Sequence, residues 1–268
     1  MRYPWSENLN PRIALTVELS AVNTVLPVIA LVGLAFEARI AAGQGVLVVC
    51  RGSTCEPSST LQRALREGCR SIISFGVAGG LAPDLRAGDV VVASAVRDQH
   101  TIRATDPIWS RRLLGTVPDI RHGPIVGVNS AVLDPRAKRE LHAGTGAVAV
   151  DMESHLVAQA ADAHNLAFAA VRVVVDPVHR TVPEAALMAL SPGGSTEVNP
   201  VLREIVARPS QLAAFIRVAF DAYVARSALL RVRRIIGPEF GFSGLTDSTP
   251  VKDGFIALSR ELNAHPRG

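Results

Sequence analysis

Five short apolar runs constrain this chain more than any other feature. They are residues 27–33 (PVIALVG), 45–50 (GVLVVC), 71–75 (SIISF), 89–95 (DVVVASA) and 168–175 (FAAVRVVV). Each is rich in β-branched residues and none alternates apolar with polar. A strand of that kind has to be covered on both faces, as in a sheet with helices on either side. Shorter runs at 125–128 and 147–150 read as further strands. Helical stretches fall between the runs, at 34–42, 57–67, 135–142 and 151–164, with Gly43 and Gly68 as stops after the first two. Strands alternating with helices predict one α/β domain. It has three layers, with a central mixed or largely parallel sheet flanked by helices.

Composition narrows the class. With 48% hydrophobic residues in a chain of 268, most of the length can bury a core, which excludes general disorder. Three cysteines, Cys50, Cys55 and Cys69, are an odd number without metal-ligand spacing, and they read as buried reduced thiols. No metal is expected. The net charge of +4 is carried almost wholly by arginine, since Lys138 and Lys252 are the only lysines. A nucleic-acid binder would show a basic stripe with interleaved aromatics, and only 226–234 is locally dense, so no nucleic-acid partner is expected. No run reaches the ~20 apolar residues of a membrane span, and 25–35 is a poor signal peptide. The expected location is the cytoplasm.

The organisation expected is a loose extension over 1–24, the α/β domain over 25–208, an arginine-rich amphipathic helix over 209–236 and a flexible tail over 237–268. The apolar stripe of that helix is read as Leu212, Phe215, Ile216, Ala219 and Tyr223, with Leu229 and Leu230 further on, and the helix either docks this stripe on the sheet domain or lays it on a membrane surface. Residues 98–122 are polar and irregular. They read as a loop carrying His100, Arg103, Trp109 and His122, either solvated or closing over the ligand as a lid.

In α/β sheets ligands gather at the carboxyl ends of strands. Glu37, the glycine-rich turn Gly76, Val77, Ala78, Gly79, Gly80, the pair Met152 and Glu153, and Asp176 all stand just past expected strand ends. Three blocks carry a resemblance. The segment from Phe75 to Val92 (FGVAGGLAPDLRAGDVVV) is similar to the glycine-rich motif of the purine nucleoside phosphorylase and methylthioadenosine/S-adenosylhomocysteine nucleosidase superfamily. Residues 149–154 (AVDMES) resemble its ribose-binding motif, and 171–176 (VRVVVD) the strand ending in its catalytic aspartate. The wording of the blocks, followed by a long arginine-rich helix, is similar to the hopanoid-associated phosphorylase branch. The resemblance departs at Val77 and Val175, where relatives commonly carry hydroxyl residues, and Ser74-Phe75 stands where phosphorylases place an arginine.

The resemblance implies cleavage of an N-glycosidic bond, with adenosylhopane as substrate and adenine as product. It needs no organic cofactor, inorganic phosphate being the co-substrate. Asp176 would protonate the leaving purine, which requires a carboxyl pKa above the usual ~3.9. Glu153 would accept hydrogen bonds from the ribose hydroxyls, and Met152 would pack on the sugar. Arg39 and Arg51 are the candidates for holding phosphate. Glu37 lies close to the glutamate with which nucleosidases activate water. Phosphorolysis is the leading expectation, hydrolysis of a methylthioadenosine-type nucleoside the alternative, and plain nucleoside binding the third reading, against which the presence of both Asp176 and Glu153 argues. A lipid-tailed substrate implies peripheral contact with the inner face of the membrane, and the superfamily implies at least a dimer.

Overall fold

The computed structural model describes residues 26–51, 57–183 and 212–242. The expected N-terminal extension and most of the expected tail lie outside these residues. The elements run β1 (Val28–Val32), α1 (Ala35–Ala41), β2 (Val46–Cys50), α2 (Pro57–Glu67), β3 (Ser71–Gly80), β4 (Val90–Arg97), β5 (Ile102–Ala104), α3 (Pro107–Thr116), β6 (Ile120–Gly127), α4 (Pro135–Thr145), β7 (Ala149–Asp151), α5 (Ser154–His164), β8 (Ala167–Asp176) and α6 (Leu212–Ile236). A short 3-10 turn, Pro238–Gly241, follows α6.

The eight strands make one mixed sheet in the order β2-β1-β3-β7-β6-β4-β5, with β8 joining β3 to β4. The β1/β2, β1/β3, β3/β8, β4/β6 and β6/β7 pairs are parallel, and β3/β7, β4/β8 and β4/β5 are antiparallel. Strands β3, β8, β4, β6 and β7 therefore close on themselves, and the sheet continues through β1 and β2 as an open wing.

The three layers follow from the period of two along each strand. Val28, Ala30 and Val32 of β1 and Ala169, Val171 and Val173 of β8 pack on one face, against α1, α3 and α6. Ile29 and Leu31 of β1 and Phe168, Ala170 and Val174 of β8 pack on the other, against α2 and α5. Both faces are covered, as the unbroken apolar runs require.

Four expectations need correction. The glycine-rich segment 76–80 is not a turn but the second half of β3, paired with β8 through a register shift between Ala78 and Gly79. Glycine there serves close packing rather than reversal. Residues 98–122 are not an irregular loop: they hold β5, α3 and the start of β6. Asp106 caps α3 by accepting from the Trp109 amide at 2.8 Å, with Pro107 at the first helical position. Trp109 is fully buried and its indole donates to the Phe240 carbonyl at 2.8 Å.

Third, α6 docks through a stripe that only partly matches the expected one. Phe215, Ala225, Ala228, Leu229, Val232 and Ile236 are buried, whereas Leu212, Ile216, Ala219 and Tyr223 are exposed. Leu229 has no exposed surface, so the helix belongs to the core. Fourth, the stretch read as tail is ordered at its start. Phe240 and Phe242 are buried, with the Phe240 ring 5.0 Å from Phe75 and Arg233 stacked 4.5 Å above it. Cys50 and Cys69 are half-buried, while Cys55 lies outside the described residues.

Candidate active site

Strand β1 ends at Val32, and Gly33-Leu34 leads into α1. Glu37, in the first turn of α1, folds its side chain back over this junction. Its Oε2 accepts from the Gly33 and Leu34 amides, both at 2.8 Å, and its Oε1 accepts from the Val77 amide of β3 at 2.7 Å. The carboxyl thus caps α1 and fastens it to β3. It is 1% exposed. Burial pushes its pKa from the usual 4.5 to about 7; the nearby Arg172 charge and the amides oppose the rise, and Glu153 adds to it.

Gly76 is required beside this carboxyl. A Cβ there would stand 2.7 Å from Glu37 Cδ and 2.7 Å from Arg172 Nη1. Gly33 likewise makes room for Glu153, whose Cδ would lie 3.0 Å from an added Cβ. Two backbone positions are kept bare so that two carboxylates can approach.

Arg172, in the middle of β8, is fully buried and organises the cluster. Its Nε lies 2.5 Å from Asp151 Oδ2 and its Nη2 lies 3.4 Å from Glu153 Oε2. Nη2 also bonds the Ser74 hydroxyl, and Nη1 donates to the Val77 carbonyl at 3.3 Å. Asp151 accepts from the Ser154 amide and hydroxyl, which fixes the start of α5. Glu153 meets Arg51 Nη1 at 3.4 Å, and the same Nη1 donates to the Met152 carbonyl at 2.8 Å. Burial raises the Glu153 pKa, and Arg172 opposes the rise.

Asp176 closes β8. The ammonium of Lys138, reaching from α4, lies 2.5 Å from its Oδ2. Burial raises the Asp176 pKa, and Lys138 works against it. After the strand, Arg180 Nε pairs with Asp221 Oδ2 of α6 at 2.6 Å.

These groups surround one cavity of about 670 Å³. Glu37, Arg51, Val77, Ala78, Gly79, Met152, Glu153 and Asp176 all line it, so most of the residues singled out in the sequence converge. Gly76 and Gly80 stand behind the wall rather than on it. The two phosphate candidates separate: Arg51 is on the wall, while Arg39 is exposed on α1 and away from the cavity. The wall also takes Asn129 to Leu133 from the loop after β6, and Arg180, Val182, Val218, Asp221 and Ala222.

Sequence reading missed Arg172, Asp151, Lys138 and the Arg180–Asp221 clasp. Two had a signal: Arg172 is the one charge inside an apolar strand, and Lys138 is one of two lysines. The clasp joins residues 41 apart and had none. Among the described residues, no group of three or more His, Cys, Asp or Glu is placed to hold a metal ion.

Three carboxyls with raised pKa values, Glu37, Glu153 and Asp176, line this one cavity, an arrangement suited to proton transfer in both directions. Several solved structures share the fold. A methylthioadenosine/S-adenosylhomocysteine nucleosidase from Helicobacter pylori, with butyl-thio-DADMe-Immucillin-A, aligns with a TM-score of 0.55 and 15% identity over 84% of this chain and 100% of its own. Futalosine hydrolase from the same organism gives 0.54 and 16%, over 79% and 98%. A nucleosidase from Campylobacter jejuni gives 0.52 and 14%, over 77% and 98%. No curated protein matches the chain. The family model of the Phosphorylase superfamily matches residues 19–212, a span that takes in β1 to β8 and every carboxylate of the cavity except Asp221. On that match the chain belongs to the Phosphorylase superfamily.

Proposed function

We propose that this protein cleaves the N-glycosidic bond of a purine nucleoside bearing an apolar 5′ substituent, releasing adenine. One observation carries the reading: Glu37, with a pKa near 7, shares one cavity with Asp176, another carboxyl raised by burial. Breaking the bond gives the ribosyl group cationic character while the purine departs with its electron pair. Asp176 donates a proton to the purine, which makes it a better leaving group. Glu37 takes a proton from the water that attacks C1′. Glu153 accepts from the ribose hydroxyls, and its charge favours the ribosyl cation. Met152 packs against the sugar.

Water is the nucleophile this geometry supports best, because the buried carboxyl of near-neutral pKa is a base and not an anion receptor. Phosphorolysis is the second reading. It is favoured by Arg51, whose guanidinium reaches the cavity wall beside Glu153. Neither nucleophile requires an organic cofactor.

The 5′ substituent is assigned from the part of the lining where Ala131, Val132, Leu133, Val182, Val218 and Ala222, apolar or small, flank the Arg180–Asp221 pair. Adenosylhopane fits that chemistry. A triterpenoid tail does not stay in water, so the substrate would be met at a membrane surface. The outer face of α6 exposes Ile216, Phe220 and Tyr223 beside Arg217 and Arg226, a combination suited to an anionic headgroup layer. No helix of the described residues is long and apolar enough to cross a membrane. The protein is proposed to act as at least a dimer at the cytoplasmic face.

The test is incubation with adenosylhopane or a short 5′-alkyl adenosine, with and without phosphate. Adenine and free sugar without phosphate are expected. Phosphate-dependent sugar phosphate selects the second reading, and nucleoside binding without adenine release refutes both.

A further inference from the structure

Lys138 stands out on three counts. In a chain whose basic residues are almost all arginine, it is one of two lysines. Its side chain has no exposed surface. The hydrogen bonds of its ammonium all fall on one dipeptide: it donates to Asp176 Oδ2 at 2.5 Å, to the Asp176 carbonyl at 3.0 Å and to the Pro177 carbonyl at 3.4 Å. An ammonium has three protons and no acceptor, so this tripod uses them all. Lys138 itself does not line the cavity, whereas Asp176 does. A buried ion pair is poor value for stability alone, since apolar residues of similar volume serve as well or better. A lysine fully buried behind a cavity carboxyl needs another reason.

We infer that Lys138 is the positioning residue of the acid: it fixes the Asp176 carboxyl and stabilises the carboxylate left when Asp176 gives its proton to the departing purine. The inference rests on the proposed glycosidic cleavage. The step balances simply. The Asp176 O–H bond breaks as the purine N–H bond forms, the C1′–N electron pair goes to the purine, and the new carboxylate faces the existing Lys138 charge. Preorganised charge of this kind costs no rearrangement during the reaction. Without it, burial alone would hold the proton on Asp176 more tightly. Few other charges face the carboxyl. Asp221 of α6 raises its pKa, but Asp221 is itself paired with Arg180. From β3 the neighbour is Gly79, where a Cβ would stand 3.3 Å from Oδ1.

The test compares wild type with Lys138→Met, an unbranched apolar side chain of similar length. Two readouts are taken: the pH profile of kcat and KM, and the Asp176 carboxyl titration by carbon-13 NMR. The Lys138→Met titration is expected to move up by at least one pH unit. The alkaline limb of kcat should follow it by the same amount, with KM within about threefold because Lys138 does not touch the ligand. Lys138→Arg, which restores a cation, should bring the limb back towards wild type. Should the Met variant not fold, Lys138→Gln is read in the same way. An unmoved Asp176 titration overturns the inference, as does a common loss of kcat and kcat/KM with an unchanged pH profile. Absence of nucleoside cleavage by the wild type would refute the proposed function instead, and the titration would still report the Lys138–Asp176 coupling.

Discussion

Replacing Glu37 with glutamine should remove activity and, at alkaline pH, leave the protein at least as stable. The carboxyl accepts three backbone hydrogen bonds, two on Oε2 and one on Oε1. Glutamine offers one oxygen and one NH₂, so at least one amide loses its acceptor. That costs about 1–3 kcal/mol. Against it stands the cost of ionising the carboxyl in place. Moving from 4.5 to about 7 corresponds to roughly 3 kcal/mol, at about 1.4 kcal/mol per tenfold. The folded protein holds this proton more tightly than the unfolded chain. Wild-type stability therefore declines as pH rises from about 4.5 to about 7 and stays lower beyond. Glu37→Gln lacks that decline.

Thermal unfolding at pH 5 and pH 8.5 reads the difference directly. At pH 5 the variant should be less stable than wild type, and at pH 8.5 equal or more stable. The two melting curves should diverge by roughly 5–10 °C across the range, taking about 2–4 °C per kcal/mol for a domain of this size. Turnover should fall about 100-fold or more, the usual worth of a general base. Wild-type turnover should itself rise as Glu37 ionises around pH 7. Turnover of the variant within tenfold of wild type would refute the base assignment. Parallel melting curves would refute the burial cost from which the pKa is argued.

Other expectations can be checked with equally direct measurements. Asp176→Asn should lose about 100-fold or more in kcat, while the affinity for a nucleoside analogue, read by calorimetry, changes little. Arg51→Ala should raise the KM for phosphate about tenfold or more, roughly 1.4 kcal/mol, if phosphorolysis operates; adenine release that ignores phosphate in both proteins excludes that role. Co-sedimentation with anionic vesicles at low salt should be lost in the double variant Ile216→Asp, Phe220→Asp. Surface substitutions are preferred to truncation here because α6 is part of the core.

Much of the fold was legible because a doubly covered strand announces itself in continuous β-branched residues. The expected helix at 57–67 coincides with α2, and β1, β2 and β8 fall within a residue or two of expectation. What failed was long-range. Gly76 to Gly80 looked like a turn because glycine is read locally, whereas Gly76 makes room for the Glu37 and Arg172 side chains, and Gly79 and Gly80 for Val150, Asp176 and Val174, all from other elements. Helix α3 carried its own start signal, Asp106-Pro107, but its polar outer face masked it. Phe240 and Phe242 sit in a Gly- and Pro-flanked stretch that reads as tail, and only Trp109 and Phe75 explain their burial. At the site, Glu37, Glu153 and Asp176 could be placed by their position after strands. Their partners Arg172 and Lys138 could not be paired with them from the sequence. Those contacts depend on how β8 and α4 sit against their neighbours.

The same charge cluster separates the two candidate chemistries by pH. Asp151 and Glu153 stand opposite Arg172 and Arg51. Ionising Glu37 adds one negative charge to this cluster. The ionised state suits water attack twice over: it supplies the base, and it favours a cationic ribosyl group. An incoming phosphate dianion meets the opposite preference, because it binds best while Glu37 keeps its proton. Hydrolytic turnover should therefore rise through pH 7, whereas phosphate affinity should fall through the same range and draw a proton into the protein. Calorimetry of phosphate binding in two buffers of different ionisation enthalpy would detect that proton uptake. Phosphate affinity that is flat from pH 6 to 8, with no proton uptake, would place the anion away from Glu37 and refute the shared site.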